Sequence, residues 1–162
     1  MFSLFTLSDI PILLVSLFIL LPLVTIIHQT GHVFFVWLFG GKVTFVIGAG
    51  KKLLSFGPIE LRRIYFWHSF FQFEKLKYDT TLSHLLVFIG GSLFNFISIL
   101  IVNGLILIDI LAPHIFYYNF VYFSIYYIFF SLFPARYSDD HPSDTMAIYD
   151  LLKHGKKCDP LD

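Results

Sequence analysis

His28 and His32 stand four residues apart in a strongly apolar run. That spacing puts both imidazoles on one face of a helix, where they can reach the same metal ion. The competing reading is a hydrogen-bonded structural pair. The pentapeptide His28-Gln29-Thr30-Gly31-His32 matches the zinc motif H-E-x-x-H at every fixed position but the glutamate. In that motif the glutamate takes a proton from the attacking water and passes it to the leaving amine. Gln29 has nearly the same shape and can hydrogen-bond a water, but an amide has no useful basicity. Zinc could bind at such a site, while turnover should collapse. The remaining glutamates, Glu60 and Glu74, lie outside the motif and are not obvious substitutes.

A catalytic zinc takes three protein ligands and keeps a fourth position open. Asp139, Asp140, His141 and Asp144 cluster further along the chain and are candidates for the third ligand. The same residues also read as a solvated acidic turn leading into a helix over 145–152 capped by Ser143 or Asp144. The residues alone leave both readings open.

The elements that must position these groups are legible from hydropathy. Of 162 residues, 57% are hydrophobic, 20% aromatic and only 14% charged, against about a quarter charged in soluble domains. So short a chain cannot hide that much apolar surface from water, so lipid is its expected solvent. A spanning helix needs roughly 20 apolar residues. Residues 10–38, 85–108 and 115–133 qualify, giving a mainly α membrane protein with one domain over 1–162 and a tail over 134–162. Pro22 interrupts the first span and is expected to kink it. Asp109, Ala112 and Pro113 make a short turn between the other two, which should pack as an antiparallel pair. The N-terminal run lacks a basic leader and is too long for a secretory signal, so it is expected to remain as a membrane helix.

All eleven lysines and arginines fall in the segment after the first span or in the tail. The positive-inside rule then puts that loop and the C-terminus in the cytoplasm and the N-terminus outside. Zero formal net charge, with no basic stripe, sets nucleic acid aside as a partner. The single cysteine, Cys158, excludes an intrachain disulfide and has no metal-binding spacing. Within the loop over 40–83, residues 42–47, 53–56 and 59–65 are β-prone and punctuated by Gly48, Gly50, Gly57 and Pro58, so a small hairpin or sheet is expected. The aromatic stretch 65–78 reads as an interfacial anchor, or as an edge that receives an unfolded peptide by strand addition.

Taken together, the motifs resemble the site-2 proteases, which are intramembrane zinc metalloproteases. His28-Gln29-Thr30-Gly31-His32 is similar to that family's H-E-x-G-H. Gly90-Gly91-Ser92-Leu93-Phe94-Asn95 looks like its G-G-P-x-x-N, with Ser92 in place of proline. Ser131-Leu132-Phe133-Pro134 followed by Pro142-Ser143-Asp144 resembles its N-x-x-P stretch and Asp-Gly pair, with Ser131 replacing asparagine and Thr145 replacing glycine.

The resemblance implies a three-helix site-2-protease core in which His28, His32 and Asp144 ligate Zn2+. It also implies that Gln29 occupies the general-base position and that Asn95 lines the site, steadying the substrate peptide or the oxyanion. Gly31 would let another backbone approach closely, or serve simply as a small residue for tight helix packing.

The expected activity is that of a zinc metalloendopeptidase cutting a membrane-embedded or membrane-associated peptide near the cytoplasmic face. Gln29 with both histidines kept reads as an inactive, substrate-trapping variant made by a single isosteric exchange. The rivals are a natural pseudoprotease that holds a membrane client without cutting it, and a small zinc-binding transporter. Expected partners are a membrane peptide, the lipid bilayer, and a second copy or a regulatory membrane protein. A bacterial cell membrane is the expected location.

Overall fold

A computed structural model of the protein describes residues 10–57, 59–73, 75–138 and 141–155. Three long apolar helices dominate it: α1 (Ile10–Leu38), α2 (Thr81–Leu107) and α3 (Ile115–Leu132). Between α1 and α2 runs a hairpin of β1 (Val43–Phe56) and β2 (Ile59–Phe73). After α3 come the short strands β3 (Arg136–Ser138) and β4 (His141–Pro142), then the amphipathic helix α4 (Asp144–His154).

Pro22 does not break α1. Its missing N–H and bulky ring disturb the turn before it, and the chain absorbs this in a wider π turn over Ser16–Leu20. There the Leu21 N–H reaches back five residues to the Ser16 carbonyl. Asn119 of α3 donates to the Ser16 hydroxyl at 3.1 Å, which ties this turn to the neighbouring helix.

Helix α2 begins four residues before its expected start. Thr80 and Ser83 form a reciprocal capping box, each side chain accepting from the other's backbone N–H, and this satisfies donors that would otherwise be orphaned. Helix α4 starts on Ser143, whose hydroxyl accepts from the Met146 N–H, and ends on Gly155 in the left-handed region at φ 64°.

The hairpin is longer than its sequence punctuation suggests. Gly48 and Gly50 adopt positive φ (85° and 84°) and form bulges within β1 instead of ending it. The aromatic stretch 65–78 supplies the second half of β2 as far as Phe73. Its residues 69–73 pair with Val43–Ile47. Phe45, Val46 and Ile47 are bordered on their other side by Ile59–Leu61, so the bulged ribbon curls back on itself.

Two dry clusters stack along the helices. Leu20, Val24 and Phe120 form one; Val36, Phe73, Leu76, Val87, Phe88, Ala147 and Leu151 form the other. On α1 they flank the segment that carries the two histidines. The outer faces of the three helices remain apolar and exposed, as lipid-facing surfaces are.

Candidate metal centre

Helices α1 and α2 meet where neither has a side chain. A Cβ on Gly31 would lie 2.1 Å from the Gly90 carbonyl oxygen, and one on Gly90 would lie 2.6 Å from the Gly31 carbonyl oxygen. The backbones therefore touch, as small residues permit between membrane helices. This contact lays Gly91 directly against both imidazoles.

His28 and His32 are almost fully buried, at 3% and 1% exposure, and their Nε2 atoms are 3.1 Å apart. Asp144, at the first turn of α4, reaches them from the other side. Its Oδ2 lies 3.2 Å from His28 Nε2 and 3.5 Å from His32 Nε2. Ligand atoms held tetrahedrally at about 2.0–2.1 Å from zinc stand roughly 3.3 Å apart. The three atoms fit that triangle, and two imidazoles with one carboxylate are a donor set zinc accepts.

The surroundings prepare these atoms as donors. His32 Nδ1 is 2.8 Å from the Val87 carbonyl; a carbonyl only accepts, so the proton is on Nδ1 and the lone pair is on Nε2. Asn95, fully buried on α2, places its Nδ2 3.4 Å from His28 Nδ1, where it can donate to that nitrogen. With the amide turned the other way, Oδ1 would accept from Nδ1–H and His28 would likewise present the Nε2 lone pair inward. In that arrangement three electron-rich atoms face one another in a buried site, a donor set that could hold a cation. Burial pushes the Asp144 carboxyl up; where an imidazole carries a second proton in place of a cation, the charge of His32 and His28 and the Ser131 hydroxyl outweigh burial and hold the group below its ordinary value.

Of the four candidates for the third ligand, the structure brings Asp144 to the histidines. His141 contributes backbone to β4, and Asp139 and Asp140 lie outside the described residues. Gln29 is buried on the same turn of α1 as His28. Glu60 is paired on the hairpin with Lys52 at 2.9 Å. Glu74 and Cys158 lie outside the described residues.

Three features were not singled out as working parts from the sequence. Ser131 donates to Asp144 Oδ2 at 2.5 Å, and Ser92 stands 2.8 Å from Ser131. The ring of Tyr127 on α3 packs tilted against His28 at 4.8 Å. Gly91 clears the space beside both Nε2 atoms. The serines had a signal in the motif comparison, since both mark departures from the family pattern. Nothing in the local sequence around Tyr127 marks that residue.

Three helices of spanning length with lipid-type exteriors define a membrane protein. The chain is 49% identical over 153 residues to the uncharacterized membrane protein YwmF of Bacillus subtilis (strain 168), covering 94% of this chain and 96% of that one. It belongs to the same family as YwmF. No protein-family model matches the chain, and no solved structure matches it.

Proposed function

We propose that this protein is a site-2-type intramembrane metalloprotease scaffold that binds zinc at His28, His32 and Asp144 and holds a membrane-associated peptide there. The observation that carries this reading is the convergence of His28 Nε2, His32 Nε2 and Asp144 Oδ2 at 3.1–3.5 Å. It is joined by the motif order along the chain and by the buried Asn95 beside the first histidine.

Zinc in this site would supply a Lewis acid for a peptide carbonyl and lower the pKa of a water. The chain's own residues do the rest. Asn95 orients His28 beside the place where the peptide would be held. The apolar clusters above and below limit water. Gln29 stands where the proton acceptor belongs and can only hydrogen-bond, so proton transfer from the attacking water is missing. Loss of a general base costs about 10²–10⁴ in rate. This chain is therefore the peptide-holding, catalytically impaired form of such an enzyme, with the hairpin and the tail on the cytoplasmic side.

The test is elemental analysis of detergent-purified protein supplied with zinc, beside His28→Ala and Asp144→Ala. About one zinc per chain, lost or much weakened in both variants, is the expected outcome. A parent that takes up no zinc would overturn the reading.

A further inference from the structure

Two departures from the motif pattern, Ser92 and Ser131, are 39 residues apart in sequence yet hydrogen-bonded to each other at 2.8 Å. Ser131 also donates to the ligand oxygen Asp144 Oδ2 at 2.5 Å. A serine hydroxyl carries one proton, and an ionised carboxylate only accepts. The Ser131 proton is therefore committed to Asp144, which leaves its lone pairs to accept from Ser92. The chain has one direction: Ser92 to Ser131 to Asp144.

We propose that Ser92 and Ser131 are positioning residues that aim Asp144 Oδ2 at the two histidines and set the strength of metal binding, a role that rests on the metal reading above. The backbone of α4 is fixed independently. Ser143 caps it and also accepts from the Ala135 N–H at 3.2 Å, while Arg136 pairs with the buried Asp150 at 2.5 Å. None of these contacts touches the Asp144 carboxylate; besides the two histidines, the Ser131 hydroxyl does.

The pair also joins parts that no single segment links. Ser92 is on α2, Ser131 on α3 and Asp144 on α4, while the histidines are on α1. Spacing between α2 and α3 is thereby transmitted to the carboxylate. Oδ2 has a second lone pair available for the metal after accepting from Ser131. Partners that orient a metal ligand in this way typically contribute about 10–100-fold to metal affinity.

The experiment is a competitive zinc titration of the full chain in detergent against a chromophoric chelator. It compares the parent with Ser131→Ala, Ser92→Ala, the double variant, Ser131→Thr and Asp144→Ala. Expected are a loss of about 10–100-fold for Ser131→Ala, a smaller loss for Ser92→Ala, and a double variant no weaker than Ser131→Ala alone, because both act along one chain. Ser131→Thr keeps the hydroxyl and should restore most of the affinity. The visible spectrum of the cobalt(II) form should change in Ser131→Ala and be retained in Ser131→Thr, a signature that mere loosening of the helices would not produce.

Parent-like affinity and cobalt spectrum in Ser131→Ala, with binding lost in Asp144→Ala, would overturn the positioning role and leave the metal site standing. Strictly additive losses from Ser92→Ala and Ser131→Ala would overturn the relay. A parent that binds neither metal removes the site and the relay together.

Discussion

A Cβ on Gly91 would stand 2.4 Å from His32 Nε2 and 2.6 Å from His28 Nε2. The hydrogen at this position thus leaves room beside both Nε2 atoms, room that the proposed cation would use. Gly91→Ala should abolish zinc binding, because a methyl group has nowhere to go but into the ligand triangle. Gly104→Ala is the matched control on the same helix, since nothing lies within 4 Å of its added carbon. Zinc content and helical circular dichroism, measured together, check this. Retained zinc in folded Gly91→Ala would show that the metal does not sit between those two nitrogens.

Gln29→Glu supplies the missing proton acceptor without altering the shape of the side chain. The expected outcome is a gain of about 10²–10⁴ in peptide-bond cleavage over the parent, matching the typical contribution of a general base. An unfolded reporter polypeptide in detergent, analysed by mass spectrometry, gives the readout. His28→Ala in the same background should return cleavage to the parent level. Parent-like silence in a zinc-loaded Gln29→Glu protein would favour a binding role for the scaffold.

Cys158 is the single cysteine of the chain and lies in its polar tail, which makes it a native reporter of orientation. With the tail cytoplasmic, a membrane-impermeant thiol reagent should leave Cys158 unlabelled in intact cells and label it in inside-out vesicles. Labelling of intact cells would place the tail outside, and the loop with Glu60 and Lys52 alongside it, since α2 and α3 return the chain to the side it left.

The three apolar helices were legible in the residues themselves, because the hydrocarbon thickness demands a run of fixed length that local composition alone satisfies. So was the histidine pair, because a four-residue spacing on a helix is a local geometric fact. Near Pro22 and around the hairpin, local signals were less decisive. A π turn accommodates the proline within α1, and glycines that punctuate the sequence became bulges once Val43–Ile47 found a partner in residues 69–73.

The residues alone left Asp139, Asp140, His141 and Asp144 open as partners of the histidines, and the motif resemblance pointed to Asp144; the meeting itself depends on packing. Asp144 is brought to the histidines because Ser143 caps α4 and Arg136 ties it back through Asp150. The Ser92–Ser131–Asp144 chain and the Gly31–Gly90 contact were beyond local reading for the same physical reason. Each joins groups from different helices, and whether such groups touch depends on how the helices pack, which no single segment encodes.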